Sequence, residues 1–276
     1  PSARFYDEAA HGITIYDGAP DQKLTLTASP FDWMEASFFY TNIKECNQDS
    51  NFSSSCYQDY KDKGFNFKVR VKEEGIWPAI AIGINDIAGT GFYSSEYIVG
   101  SYGIKNTDFH FGLAWGTLNG SNNSFENPLG YLYDGFYDRP TNTEDRGGQF
   151  QPSRYFSGKK ASLFYGLSHV INERLILKIE NDTTNAPGKV GYKESKQKLS
   201  YGLDFAINSN FSFGFSFERG NDYSIRLVYK KDSKDSKKTY KYKKAKYDEN
   251  ENKYSKLIKN IENNEIGVNK IIKKGN

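Results

Sequence analysis

Long apolar runs are missing from this sequence. Its 276 residues contain no stretch of roughly 18 consecutive apolar residues, the length that a transmembrane helix needs. Helical membrane spans are therefore excluded. Any passage through a membrane would use β-strands of about ten residues.

Histidine and cysteine are scarce, with three and two copies. The histidines fall on different predicted strands, without Cys, Asp or Glu at metal-ligand spacing, so no metal or other cofactor is expected. The chain also lacks a nucleophile elbow, a phosphate-binding loop and a metalloprotease motif. These absences predict a protein without enzymatic activity.

The two cysteines, Cys46 and Cys56, lie in one polar loop, ECNQDSNFSSSC. Two free thiols on an exposed loop would be open to oxidation. A disulfide that closes a short loop fits an oxidising compartment such as the periplasm or the cell surface. We predict a disulfide between Cys46 and Cys56, with free thiols as the alternative.

A large excess of one charge is absent from the first 230 residues. The net charge is +3, and lysine is concentrated after Tyr229. Binding to nucleic acid needs a basic stripe on a folded face, so nucleic acid is not an expected partner.

Aromatic residues are plentiful, at 16% of the chain. In residues 64–104, Phe65 and Phe67 alternate with Lys68 and Arg70, and a second alternating run begins at Ile80. Similar runs recur along the chain and predict about twelve antiparallel strands, joined alternately by tight turns and longer loops. The longest irregular segment covers residues 119–160, and such a loop is usually functional.

Two folds share this alternation, a soluble β-sandwich and a closed membrane barrel. Small residues decide between them, because several glycines lie on the polar faces, where they suit a narrow lumen. These glycines are Gly83, Gly112, Gly166, Gly202 and Gly214. We predict an all-β fold, an antiparallel up-and-down transmembrane β-barrel whose aromatic faces meet lipid, with the sandwich as the alternative.

The polar faces carry the candidate lumen residues. They mix both signs of charge, which suits hydrogen bonding to a hydrated sugar polymer and equally suits a general porin. Their carboxylates could also form a pair for glycoside cleavage, but charge balance in a wet lumen is the favoured interpretation. The candidate lumen or polymer-contact residues are Glu35, Lys68, Arg70, Glu96, His110, Arg174, Lys178, Glu180, Asp204, Glu218 and Arg226.

The chain divides into three predicted parts. Residues 1–230 would form the barrel, and residues 231–252 a charged, Lys-rich linker. Residues 253–276 contain apolar positions at helical spacing followed by IGVNKII, which cannot bury a core alone. We therefore expect them to begin a further domain that is truncated in this chain.

Three segments, SPFDWMEASFFYT, YKDKGFNFK and DIAGTGFYSSEYIVGS, resemble the YjbH family. These are outer-membrane proteins of Gram-negative exopolysaccharide or capsule gene clusters. The likeness runs clearly to Glu180 and more loosely to Tyr229. The loop with Cys46 and Cys56 and the Lys-rich linker do not match the family pattern.

The resemblance implies an outer-membrane β-barrel that assists export or surface assembly of a polysaccharide, with no catalytic residues to carry over. Its expected partners are the polysaccharide, outer-membrane lipid and other secretion proteins. Family members are longer, so residues 253–276 would begin a periplasmic domain. A soluble periplasmic or surface carbohydrate-binding sandwich and a general porin are the alternatives.

Overall fold

The structure is a computed structural model that describes residues 1–19, 21–43, 60–120, 124–140, 150–184 and 198–232. The predicted disulfide between Cys46 and Cys56 lies outside these ranges. So do the predicted domain at residues 253–276 and all but the first two residues of the predicted linker at 231–252.

Nearly all regular structure in these ranges is β-strand. The three helices are short 3-10 turns, Pro128–Tyr131, Asp134–Tyr137 and Pro152–Arg154. None of the helices within the described ranges is long and apolar enough to span a membrane. In chain order the strands are β1 (His11–Asp17), β2 (Asp21–Phe31), β3 (Met34–Ile43), β4 (Tyr60–Lys72), β5 (Ala79–Asn85), β6 (Ser95–Ile104), β7 (Thr107–Gly116), β8 (Phe125–Glu126), β9 (Lys160–Asn172), β10 (Leu175–Asn181), β11 (Leu199–Ala206), β12 (Phe211–Glu218) and β13 (Asp222–Lys231).

All the strands except β8 form a closed antiparallel barrel of twelve strands. Each strand pairs with the next one along the chain, β9 pairs with both β7 and β10, and β13 pairs with β1 to close the sheet. The two-residue β8 extends the edge of β9. The predicted up-and-down barrel of about twelve strands is confirmed, and the alternative of a sandwich is wrong because the sheet has no second layer.

The up-and-down order places the connections alternately at two ends of the barrel. The turn end carries only short connections, such as residues 32–33, 105–106 and 173–174, together with the start of β1 and the end of β13. The loop end carries the long connections after β3, β5, β7 and β10.

Strict alternation along the strands separates an apolar outer face from a mixed inner face. Phe65 is 51% exposed on the outside, whereas Lys68 and Arg70 on the same strand point inward, as predicted. The outward apolar side chains are roughly half-exposed on β1, β2, β4, β7, β9 and β11 to β13. They include Ile13, Ile15, Leu24, Leu26, Phe109, Phe111, Leu163, Tyr165, Leu203, Phe205, Phe213, Phe215, Ile225 and Leu227.

Residues 1–10, named the inner segment, run inside the barrel near the turn end. The backbone N–H of Ala3 donates to Ser101 Oγ on β6 at 2.8 Å. The Arg4 guanidinium pairs with Asp108 at the start of β7 and with Glu74 in the turn after β4. The inner segment is therefore fixed to the part of the wall formed by β4 to β7.

Candidate functional site

The lumen has two halves that differ in what occupies them. The filled half is lined by the inner faces of β3 to β7 and contains the inner segment. The open half is lined by the inner faces of β10 to β13 and β1, and it contains cavities. Strand β9 lies between them.

Apolar side chains pack within the filled half. The rings of Tyr97 and Phe164 meet edge to face, with centroids 6.5 Å apart. Tyr97 lies over Gly83, where an added Cβ would come within 2.2 Å of the ring, and Phe164 lies over Gly112 at 2.6 Å. The other buried apolar residues in the same cluster are Ala3, Ala79, Ala81, Val99 and Ala114. Inward glycines on this side thus make room for aromatic rings.

Lys68 and Glu35 hold the inner segment in place. Lys68 Nζ donates to the Arg4 carbonyl at 2.6 Å and pairs with Glu35 Oε1 at 3.0 Å. The other Glu35 oxygen accepts a hydrogen bond from the backbone N–H of Tyr6 at 3.2 Å. The two charged side chains are only 13% and 19% exposed. They lie in the lumen, as predicted, but they bind the protein's own backbone.

Arg70, together with Lys68 and Glu35, forms the anchor of the inner segment. Its guanidinium carbon lies 4.7 Å from the centre of the Phe5 ring, and Lys68 Nζ lies 4.3 Å from the same centre. Cation–π contacts of this kind strengthen when water is excluded. Arg70 therefore also contacts the inner segment.

Six of the predicted lumen residues line one cavity in the open half. This middle cavity of about 350 Å³ lies between the first two residues of the inner segment and the inner faces of β10 to β13. Its volume is within the range of roughly 300–1,000 Å³ that is usual for ligand sites. The predicted residues that line it are His110, Lys178, Glu180, Asp204, Glu218 and Arg226.

An ion cluster forms one part of the cavity wall. Asp204 accepts two hydrogen bonds from Arg226 Nη2, at 2.6 and 2.8 Å, and pairs with Lys178 Nζ at 2.5 Å. Strand register places Asp204 and Arg226 on either side of Gly214. A Cβ at Gly214 would approach Asp204 Oδ1 to 2.6 Å, so the absence of a side chain there lets the pair form.

Hydroxyl groups surround the nearby carboxylate of Glu218. Its Oε2 accepts from the Tyr16 hydroxyl at 2.9 Å, and its Oε1 accepts from Ser216 Oγ at 2.9 Å and Ser224 Oγ at 2.6 Å. This cluster presents both donors and acceptors to the cavity. Sequence analysis missed Tyr16, Ser216 and Ser224, although the two serines share the inward side of their strands with Glu218 and Arg226.

Two further cavities adjoin the middle one. The loop-end cavity, about 420 Å³, shares Tyr16, Glu218 and Arg226 with it. The turn-end cavity, also about 420 Å³, shares Lys178, Asp204 and Arg226 with it. Polar space therefore extends along the open half and, at the loop end, across the lumen to Phe39, Asn66, Asn85 and Ser95. Arg226 borders all three cavities.

Two predicted lumen residues lie elsewhere. Glu96 alternates with Ser95 and Tyr97, which face inward, so Glu96 is on the outward side of β6 and its prediction as a lumen residue is wrong. The cause is that β6 carries small or apolar residues on both faces, which hides the alternation. Arg174 was also predicted to face the lumen, and this is wrong because it lies exposed in the tight turn between β9 and β10.

Glu96 is completely buried, because the connection after β7 folds over the outside of the barrel. Arg139 from this connection pairs with both Glu96 oxygens, at 2.8 and 3.0 Å. The backbone N–H of Phe156 donates to Glu96 Oε2 at 3.1 Å. The described part of the predicted 119–160 loop therefore makes this outer cover.

Asn127 organises the same cover. Its side-chain amide donates to the carbonyls of Phe136, Phe156 and Gly158, each at 3.0 Å, and its Oδ1 accepts from the Trp115 indole N–H at 2.9 Å. Sequence analysis missed Asn127. The signal available was the dipeptide Asn-Pro before a helical turn, a pattern typical of a helix N-cap.

A second buried carboxylate lies at the loop end. Asp86 follows β5 with a left-handed backbone, φ 56°, and its Oδ2 accepts from the Tyr93 N–H at 3.0 Å. Burial, helped by the nearby charge of Asp62, raises the pKa of Asp86 to about 6. The Asp86 carboxyl therefore keeps its proton to a higher pH than an exposed aspartate does.

Two solved structures are weakly similar to this one. The NanC porin matches with a TM-score of 0.42 and 10% identity, covering 80% of this chain and 99% of the porin. Wzi, an outer-membrane protein involved in group 1 capsule assembly in Escherichia coli, matches with a TM-score of 0.25 and 11% identity, covering 76% of this chain and 51% of Wzi.

Sequence comparison is more specific. The chain is 32% identical over 226 residues to the uncharacterized lipoprotein YjbH of Escherichia coli (strain K12), covering 81% of this chain and 32% of that relative. It thus spans about a third of the length of this curated relative. The YjbH family, described as exopolysaccharide biosynthesis protein YbjH, matches residues 1–271. This chain therefore belongs to the YjbH family of exopolysaccharide biosynthesis proteins.

Proposed function

We propose that this protein is an outer-membrane β-barrel that assists export or surface assembly of an exopolysaccharide or capsule, without catalysing a reaction. The observation that carries the proposal is the open half of the lumen, a hydroxyl-lined and charged space inside a barrel of this family. Its side chains offer both donors and acceptors to sugar hydroxyls.

The outer face supports location in the outer membrane. Roughly half-exposed apolar side chains cover the outside of most strands, a surface that water would disfavour and lipid would accept. Aromatic residues lie at the turn end, where Phe31 and Trp33 stack with centroids 5.4 Å apart and Trp77 is 67% exposed. Such residues fit the aromatic girdle at a membrane interface.

The two ends support an orientation. Outer-membrane barrels have short turns on the periplasmic side and longer loops outside the cell. By this rule the turn end faces the periplasm and the loop end faces outward. Strand β13 ends at Lys231, on the turn end.

The test is deletion of the gene in a strain that makes the polymer, followed by complementation. We expect surface polysaccharide to be lost while polymer accumulates inside the cell, and expression of the protein to restore the surface polymer. Unchanged surface polysaccharide in the deletion strain would contradict the proposal. Heat-modifiable gel migration in detergent checks membrane-barrel folding separately.

The porin alternative predicts a different result. A general porin would admit small solutes without affecting polymer at the surface. Uptake of small sugars into vesicles that contain the protein, measured beside the deletion strain, distinguishes the two functions.

A further inference from the structure

We propose that an extended glycan strand runs between the loop-end cavity and the turn end and passes the inner segment through the open half of the lumen only, and that the cluster of Lys178, Asp204 and Arg226 is the constriction that it must open. This inference rests on the proposed function and adds the route of the glycan and the position of the constriction.

The route follows from the shared walls of the three cavities. The loop-end and middle cavities meet at Tyr16, Glu218 and Arg226, and the middle and turn-end cavities meet at the ion cluster. One line of polar space thus runs from the loop-end cavity, which also reaches the inner faces of β2 to β6, to the turn end along β10 to β13 and β1. Both ends of this line approach the ends of the barrel, as a translocation path requires.

The lining fits a hydroxylated chain. Small side chains leave space beside the wall, and hydroxyls recur at inward positions of successive strands. The small and hydroxyl residues are Thr14, Tyr16, Ser168, Ser200, Gly202, Ser212, Gly214, Ser216 and Ser224. Serine and tyrosine hydroxyls both donate and accept, so they can exchange partners with successive sugar hydroxyls.

The charges along the route also fit a glycan with little net charge. The five basic residues Lys23, Lys178, Arg219, Arg226 and Lys230 face the five acidic residues Asp21, Asp182, Glu180, Asp204 and Glu218. Salt bridges join Lys23 to Asp21 at 3.2 Å and Arg219 to Asp182 at 3.6 Å. A balanced wall neither traps nor repels such a chain.

The filled half cannot serve as the route while the inner segment is bound. Tyr97 and Phe164 occupy the space over its glycines, and Lys68 fastens the inner segment. The open half contains a contrasting glycine, Gly202, where the nearest atom to an added Cβ is 3.5 Å away. Gly202 is therefore a place where a side chain can enter the route without disturbing the wall.

The first experiment tests the route in planar bilayers. A Gly202→Cys variant is made with Cys46→Ser and Cys56→Ser, and is treated with a hydrophilic thiol reagent. We expect modification to block ion conductance. Ala81→Cys in the same background is the matched control, since Ala81 is completely buried in the filled half, and we expect it to stay unmodified and conducting. Equal modification at both positions, or conductance that persists after modification of Gly202→Cys, would overturn the route.

The second experiment tests the constriction. Asp204 balances two cations, so Asp204→Asn should loosen the cross-link and leave an excess of positive charge. We expect higher conductance and a reversal potential shifted severalfold in permeability ratio toward anions. Glu126→Gln, which removes one negative charge from the exposed strand β8, is the control and should leave selectivity unchanged. Heat-modifiable migration confirms that each variant is folded. Wild-type selectivity and conductance in Asp204→Asn would overturn the assignment of the constriction.

A third measurement separates the route from the proposed function. Gly202→Trp is expressed in the polymer-producing deletion strain, and we expect loss of surface polysaccharide at normal protein levels. Blocked conductance with normal surface polymer would overturn passage of glycan by this route. If deletion of the gene itself left surface polymer intact, the proposed function would fail, whereas the bilayer results would still decide whether the open half conducts.

Discussion

The two halves of the lumen are built from the same strand pattern but have opposite contents. Both place glycine and small residues inward. In the filled half, Tyr97 and Phe164 lie across Gly83 and Gly112, and the inner segment covers what remains. In the open half, Gly202 faces a cavity. An inward glycine therefore does not by itself create a channel, because its effect depends on the neighbouring side chain that reaches over it.

Charged residues show the same contrast. Lys68 and Glu35 in the filled half hold backbone and have little exposure. Lys178 in the open half is 40% exposed and pairs with a carboxylate at the cavity wall. The same residue types thus attach the inner segment in the filled half and line a cavity in the open half.

The largest expected effect is loss of the anchor in the filled half. Lys68→Met leaves Glu35 without its cation in a nearly buried place, and we expect a loss of about 3 kcal/mol in the free energy of unfolding. Urea-induced unfolding in lipid vesicles measures it. Lys178→Met is the matched control and should cost much less, because Asp204 keeps Arg226 and the site is more exposed. Equal losses in the two variants would mean that the halves do not differ as described.

Paired glycine substitutions sharpen the comparison at the level of packing. Gly83→Ala forces a Cβ into the Tyr97 ring, and we expect a loss of about 1–3 kcal/mol in the free energy of unfolding. Gly202→Ala adds the same methyl group at ordinary contact distance, and we expect a change within about 0.5 kcal/mol. The same unfolding measurement applies to both, and a more stable Gly83→Ala than Gly202→Ala would contradict the packing of the filled half.

A smaller effect concerns pH at the loop end, where Asp86 follows a strand of the filled half. Its pKa in the folded protein is about 6, above the ordinary value of 3.8. The stability that comes from the protonated carboxyl is therefore complete below pH 3.8 and is lost as pH rises through about 6.

In Asp86→Asn the asparagine tolerates the left-handed backbone at this position, and its side chain is neutral at every pH. We expect its stability relative to wild type to rise between pH 4 and pH 6, with a gain on the order of 1 kcal/mol at pH 8. Thermal unfolding across this pH range measures the difference. A difference that did not depend on pH would show that Asp86 is not the titrating group.

Much of the barrel could be predicted from local patterns. The bounds of β1 and β3 agree with the alternating runs HGITIYD and MEASFFYTNI, because a half-buried strand needs one apolar face. Glu96 shows where this reasoning ends. Its strand, SEYIVGSYGI, is apolar or small on both sides, since one side packs in the filled half and the other lies partly under the outer cover. Periodicity cannot assign a face when both faces are buried.

The inward direction of the candidate site residues could be predicted from the sequence. Their grouping around one cavity could not. Alternation identified Lys178, Asp204 and Arg226 as inward, and register across β10 to β13 then brought them together. The same alternation identified Glu35 and Lys68, which the inner segment withdraws from the open space. Nothing in residues 1–10 has a period that would reveal their position inside the lumen.

By itself, the sequence determined that each strand has one apolar and one mixed face, because side-chain direction in a strand has a period of two. The glycines on the mixed faces favoured a closed barrel over a sandwich. The tertiary structure alone decided which half of the lumen is filled. That outcome depends on contacts between residues far apart in the chain, such as Arg4 with Asp108 and Lys68 with the backbone of the inner segment. Such contacts join residues that are not neighbours in the sequence, so local sequence patterns carry no record of them.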